Sequence, residues 1–263
     1  MPDFALSLDL VAILACAAFF AGCVDAIAGG GGLITVPAML LAGLPPVTAL
    51  ATNKLQGTFG VLSATLTFWR AGRIERAIAL PLGLSAFVGG VTGAAFARFA
   101  PDDVLRLIIP FLLIGIAIFM LVSPRLGQAE GHARLSLPAF AASAGLGLGL
   151  YDGVFGPGTG TFYLMALILL MGFGVMRASA HTKLMNFSSN LGALLFFAGT
   201  GAINLPLGLV MGGMAALGAY CGTRLSLSFG PRLVRPLVVV ISLLMALRLI
   251  LDSAHPIGLW LRG

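Results

Sequence analysis

The chain has 263 residues, of which 59% are hydrophobic and only 9% charged. Soluble domains carry roughly 25% charged residues, so this inventory cannot cover a water-facing surface and the bilayer must be the solvent. The net charge of +6 comes from arginines scattered among short loops, the pattern of loops held on the cytoplasmic side and not of a nucleic-acid face.

The first residues carry acids where a signal peptide would be basic, so the first apolar run, at 10–28, is expected as a retained helix. Further runs follow at 32–44, 50–69, 77–97 and 104–122, then a charged loop with Arg125, Glu130 and Arg134. Five more lie at 136–155, 159–176, 180–198, 203–222 and 234–251. At roughly 20 residues per crossing, this length allows about eight to ten spans. Cys16, Cys23 and Cys221 show neither metal-type nor disulfide-type spacing and are expected as small core residues. Trp69 and Trp260 read as interfacial anchors.

The same order of long and short runs occurs twice, and residues repeat with it. D-A-I-A-G-G-G-G at Asp25 matches D-G-V-F-G-P-G-T-G at Asp152, an offset of 152 − 25 = 127. A-T-N-K-L at Ala51 matches A-H-T-K-L at Ala180, an offset of 129, and at that offset Gly72, Gly83, Gly89 and Gly93 fall on Gly201, Gly212, Gly218 and Gly222. An internal duplication follows: a first repeat over 1–123, a cytoplasmic linker over 124–135 and a second repeat over 136–263.

Loop charge speaks to their orientation. Arg70, Arg73 and Arg76 crowd the loop after the third run, whose counterpart around 199–204 is uncharged, while Arg224, Arg232 and Arg235 crowd the loop after the ninth. The basic loop has exchanged places, as inverted repeats require. The expected fold is therefore an all-α polytopic membrane protein of two homologous halves, inverted repeats with glycine-interrupted helices and five spans each. The run at 32–44 spans only about 20 Å; as a re-entrant half-helix it would give four spans per half and parallel repeats.

Each half breaks its first helix at a glycine cluster, Gly29–Gly32 and Gly156–Gly160. Backbone left unpaired in a membrane is tolerated where it is buried in protein or lines a cavity. Short, interrupted helices at matching positions point to a transporter site, and helix N-termini attract anions. Gly30, Gly31, Gly158 and Thr159 are the candidates here. The scattered glycines, such as Gly83, Gly89 and Gly93, read as helix packing.

The chain has only two lysines, Lys54 and Lys183, at equivalent positions, and Asp25 and Asp152 stand alone among the acids in lying within apolar runs. A charge at the centre of a membrane helix costs roughly 2.5–3.5 kcal/mol, so these four need partners. In the structural reading each lysine neutralises the aspartate of its own half, Lys54 with Asp25 and Lys183 with Asp152. In the functional reading the lysines bind an anion, and the aspartates orient them or carry protons. Around them cluster Thr52, Asn53, Gln56 and Thr58, and His181, Thr182, Asn186, Ser188, Ser189 and Asn190, hydrogen-bonding groups suited to a small oxyanion. Of these, Asn53, Gln56, Thr182 and Asn186 are taken with the lysines as the binding set. His181 reads more simply as a hydrogen-bonded packing residue.

These residues resemble the sulfite exporter TauE/SafE family, over roughly residues 10–251. The resemblance rests on V-D-A-I-A-G-G-G-G-L-I-T-V-P, A-T-N-K-L-Q-G-T-F-G and F-W-R-A-G-R-I, with G-P-G-T-G-T-F and H-T-K-L-M-N-F-S-S-N in the second half. It implies export or exchange of small, often sulfur-containing anions across the bacterial inner membrane. The leading reading is a multi-pass secondary carrier for a sulfur-oxo anion or organosulfonate, with export favoured; the alternatives are a passive anion channel and a proton-coupled uptake carrier for a small organic acid. With the interior negative, an exported monovalent anion gains about 2.3 kcal/mol per 100 mV, whereas uptake needs coupling. No catalytic constellation, metal set or P-loop is visible, so neither an enzyme nor a cofactor is expected. The expected partners are a small anion and the lipid bilayer, without nucleic acid; a homo-oligomer stays open.

Overall fold

The computed structural model describes residues 7–122 and 130–229, together with Leu243 and Leu247. Among these, every regular element is helical. Helix α1 (Leu8–Ala28) starts at Ser7, whose hydroxyl accepts from the Leu10 N–H, and ends where Gly29 turns left-handed at φ 79°. A short α2 (Gly32–Leu41) follows, then α3 (Pro46–Arg70), α4 (Arg76–Phe99) and α5 (Asp102–Val122). The second half begins with α6 (Leu137–Phe140), a π turn (Ala141–Gly145) and α7 (Leu146–Val154), before a short α8 (Thr159–Met171), α9 (Val175–Ala198) and α10 (Leu205–Phe229).

The long–short–long–long order thus recurs. Some boundaries differ from the apolar runs for local reasons. The run at 159–176 is cut at Gly172, which takes φ 69° and caps α8, and α3 starts at Pro46, where proline's missing N–H costs nothing in the first turn. At 1.5 Å per residue, the 10 residues of α2 reach about 15 Å, half of a roughly 30 Å hydrocarbon core. It is a half-helix. The run at 234–251 lies outside the described residues apart from Leu243 and Leu247, as does Trp260.

Polarity runs inside out. Leu8 is 87% exposed, Phe99 83% and Leu80 73%, while Lys54, Thr52 and His181 are fully buried. A soluble protein does not expose such an apolar surface; a lipid-facing one must. By length and composition Leu8–Ile27, Arg76–Phe99 and Leu205–Leu225 can each cross a membrane. Helices α3 and α9 are as long but carry the buried polar residues, and they pack against each other at the centre. Cys16 and Cys221 are exposed and Cys23 half-buried, which corrects their reading as core residues; a small weakly polar thiol tolerates a lipid-facing position.

The halves contact each other reciprocally. Helix α1 packs on α10 and α4 on α7; α3 packs on α10 and α4 on α9. Glycine makes these approaches close: a Cβ at Gly218 would run into the Phe19 carbonyl of α1, and one at Gly93 into the Leu150 carbonyl of α7. The loops obey the same exchange. Thr52 Oγ1 accepts from the Asn204 N–H at 3.0 Å, and at the equivalent place His181 Nε2 accepts from the Glu75 N–H at 3.2 Å. His181 is therefore a buried cap for the start of α4.

Candidate functional site

The two glycine breaks meet. A Cβ at Gly29 would lie 2.5 Å from the Gly160 carbonyl carbon, and Gly32 faces Pro157. By ending α1 and α7 early, the breaks place Asp25 and Asp152 in last turns, where the helix dipole favours a cation; the Asp25 carbonyl also accepts the capping Gly29 N–H at 2.8 Å. Lysines fill these positions, each from the opposite half. Lys54 Nζ donates to the Asp152 backbone oxygen and, at 2.9 Å, to its Oδ1. Lys183 Nζ donates to the Asp25 backbone oxygen and faces its Oδ2 at 3.4 Å. The pairing within halves expected from sequence is thereby corrected: α3 reaches α7, and α9 reaches the end of α1. Two helix ends and two carboxylates together compensate the buried ammonium groups, whose desolvation costs roughly several kcal/mol per ion.

Beside the pairs lies a cavity of about 40 Å³. At roughly 10–15 Å³ per water on this measure, it has room for about three waters or a small oxyanion. Asp25, Gly31, Asn53, Gln56, Asp152, Gly156, Asn186 and Asn190 are among its lining residues. Neither lysine is in that lining; each stands one ion-pair contact behind it, and Lys54 Nζ would meet a Cβ placed on Gly156 at 2.8 Å.

The amide network has a definite sense. The Asp152 carboxylate can only accept, so Asn190 must present Nδ2 to Oδ2, at 2.9 Å. The same Nδ2 donates to Asn186 Oδ1 at 3.1 Å, which leaves the Asn186 amide nitrogen for the cavity. Likewise Asn53 Oδ1 accepts from Thr35 Oγ1 at 2.8 Å and from Gln56 Nε2 at 3.0 Å, which turns its Nδ2 away from both. Asn53 and Asn186 therefore bring two amide donors without a partner among the described residues. Gln56 Oε1 and Thr182 Oγ1 are buried without a partner.

The other sequence candidates sit around this centre. The Gly31 N–H donates to Asp25 Oδ1 at 3.1 Å, so it holds the carboxylate in place. Gly30 is buried, and its carbonyl accepts from the Leu33 N–H. Thr159 Oγ1 donates to Asp152 Oδ1 at 3.1 Å. Gly158 takes φ 79°, and a Cβ there would meet Ile116 at 2.6 Å, outside the cavity lining. Ser189 and Asn190 belong to the polar cluster visible in the sequence, whereas Thr35 carries no such signal; the roles of all three come from the helix crossings. Among the described residues, no group of His, Cys, Asp and Glu could hold a metal ion.

A helical bundle with a lipid-facing apolar exterior, paired helix breaks and a buried polar centre defines a polytopic membrane transporter. Residues 14–249 match the sulfite exporter TauE/SafE family, and the chain belongs to it. It is 46% identical to the "Probable membrane transporter protein ORF9" of Sinorhizobium sp. over 256 residues, 97% of this chain and 98% of that one. It is 42% identical to the "Probable membrane transporter protein YfcA" of Escherichia coli (strain K12) over 250 residues, 95% and 93% of the two chains. It is also 40% identical to a "Probable membrane transporter protein" of Haemophilus influenzae over 248 residues, 94% and 97%. No solved structure matches it.

Proposed function

We propose that this protein is a secondary carrier for a small anion, a sulfur-oxo anion or organosulfonate, with export across the bacterial inner membrane favoured. The observation that carries this reading is the 40 Å³ cavity bounded by two ion pairs formed between the halves, with the amide groups of Asn53 and Asn186 left as donors. An anion entering there takes N–H donors at once and finds an ammonium behind each carboxylate. The sulfur chemistry and the outward direction are supported by the family's description alone.

The reciprocal packing of α1 on α10 and α4 on α7, with the reciprocal loop caps, supports a two-fold relation between a first repeat and a second. We take the repeats as inverted, because the arginine-rich loop changes place between them. Alternating access would then rock one repeat against the other around the ion pairs.

Counterflow in proteoliposomes tests the proposal. Protein reconstituted with sulfite, sulfate, thiosulfate, sulfoacetate or taurine inside should take up at least one labelled anion faster when the same anion is present on the far side. Uptake without such trans-stimulation marks a channel, and movement of none of the five overturns the assignment.

A further inference from the structure

The two ion pairs hold matched places in the halves, yet their surroundings differ. Asp152 accepts from Lys54, Thr159, Ser189 and Asn190, and its side chain is 2% exposed. Asp25 accepts from the Gly31 N–H and faces Lys183 at 3.4 Å, with its side chain 18% exposed. The cause is in the sequence. At the repeat offsets of 127 and 129, Thr159 falls on Gly32, Ser189 on Gly60 and Asn190 on Val61, none of which has a donor side chain. Gly32, Gly60 and Val61 all line the cavity. The space that wraps one carboxylate in donors is, around the other, left open.

Resting on the carrier reading above, we propose that Asp25 and Lys183 form the working pair, so that a proton on Asp25 and an anion at Lys183 cross together, while Lys54–Asp152 stays closed. In the empty carrier Asp25 neutralises Lys183. A proton taken from water onto Asp25 Oδ2 removes the carboxylate charge, and Lys183 keeps its own protons and becomes an unneutralised cation at the edge of the cavity. An anion then replaces Asp25 as its counter-charge and accepts from Asn53 and Asn186. On release, Asp25 returns its proton to water and the pair closes.

Among the described residues nothing else that titrates competes at Asp25. Helix α9 offers Lys183; α3 offers neutral Asn53 and Gln56; α7 offers Asp152, already held by Lys54; α2, α8 and α10 contribute Gly32, Gly160 and Ala215. One proton thus accompanies each anion, and a monovalent anion crosses without net charge. An anion made inside the cell then leaves whenever its concentration ratio exceeds the opposing proton ratio, whatever the potential.

The test uses proteoliposomes with a pH dye inside, and as probe whichever of the five panel anions shows counterflow. Wild-type protein should move protons with the anion, one for each. Asp25→Asn should lose the proton movement, whatever anion flux remains. If Asp25→Asn does not fold, Gly60→Ser decides. Its added Cβ would meet Ala215 Cβ at 3.4 Å, an ordinary contact, and its hydroxyl takes the place that matches Ser189. A new donor competes for the Asp25 carboxylate as Ser189 does for that of Asp152, so proton movement with the anion should fall several-fold. Anion movement without protons in the wild type overturns the coupling and leaves the carrier intact, as does an Asp25→Asn protein that still moves protons or a Gly60→Ser protein with undiminished proton movement. If no panel anion moves, the carrier reading fails and the coupling with it.

Discussion

Lys54 on α3 and Asp152 on α7 form a buried ion pair with Nζ and Oδ1 2.9 Å apart, although 98 residues separate them in the chain. The Lys183–Asp25 pair repeats the arrangement between α9 and α1. Each half therefore neutralises the other's charge, and neither ion pair is complete within one half.

Removing one partner strands the other. Lys54→Met leaves Asp152 uncompensated in a buried site, a loss of roughly 3–5 kcal/mol, and adding Asp152→Asn should recover most of it. Adding Asp25→Asn should recover none. Thermal melting of the detergent-purified proteins separates the cases, and rescue by Asp25→Asn would return the pairing to within one half. Lys183→Met should cost less than Lys54→Met, because Asp25 is partly exposed and water can reach it.

The amide donors predict affinity without the lysines. A hydrogen bond to a charged group contributes roughly 1.5–3 kcal/mol. Asn186→Ala should accordingly weaken anion binding by about 10- to 150-fold while the protein melts within a few degrees of wild type. Equilibrium binding of the transported anion measures this, and unchanged affinity removes Asn186 from the site.

Glycine packing gives a control within one helix. A Cβ at Gly218 would collide with the Phe19 carbonyl, whereas one at Gly213 meets nothing within 4 Å. Gly218→Ala should separate α1 from α10 and reduce folded yield sharply. Gly213→Ala should be neutral, or stabilising by up to about 1 kcal/mol through the glycine entropy it removes. Fluorescence-detected size exclusion reads both; equal yields would mean that the α1–α10 contact is looser than described.

Orientation of the repeats is open to chemical labelling. Residues 71 and 199 follow directly on the ends of α3 and α9, within one residue of matching points at the offset of 129. Ala71→Cys and Gly199→Cys, each in a background without Cys16, Cys23 and Cys221, should react with an impermeant maleimide from opposite faces of the membrane if the repeats are inverted. Reaction from one face would establish parallel repeats.

At the loop after α3, Arg177 clasps Glu75 with Nε–Oε1 2.5 Å and Nη2–Oε2 2.9 Å. That hydrogen bonding lowers the Glu75 carboxyl below its ordinary value. A depressed carboxyl stabilises the fold above its unfolded pKa, about 4.3, and that contribution is lost as pH falls through the folded value. Both side chains are part-exposed, at 32% and 46%, so the effect should stay below about 1 kcal/mol. Glu75→Gln should therefore melt slightly lower than wild type at pH 7, with the gap closing below about pH 4.3. A gap that persists in acid would point to packing and not charge.

Hydropathy, the duplication and the four misplaced charges are local or additive properties, so they could be read from the residues in order. Sequence alone set the membrane as solvent and the paired glycine breaks, and marked Lys54, Lys183, Asp25 and Asp152 as four charges in need of partners. What it could not set is which lysine meets which aspartate. That depends on α3 and α9 crossing between the halves, and no short-range pattern encodes a contact 98 residues apart. Nor could it show that the lysines cap the broken ends of α7 and α1, or that Asn186 turns its amide nitrogen to the cavity, since that orientation is inherited through Asn190 from Asp152. The inequality of the pairs needed both. Gly32, Gly60 and Val61 could be aligned with Thr159, Ser189 and Asn190 from the repeat, but only the packed structure turns three missing donors into one open carboxylate beside a cavity, because a vacant volume belongs to the surrounding helices together and to no single segment.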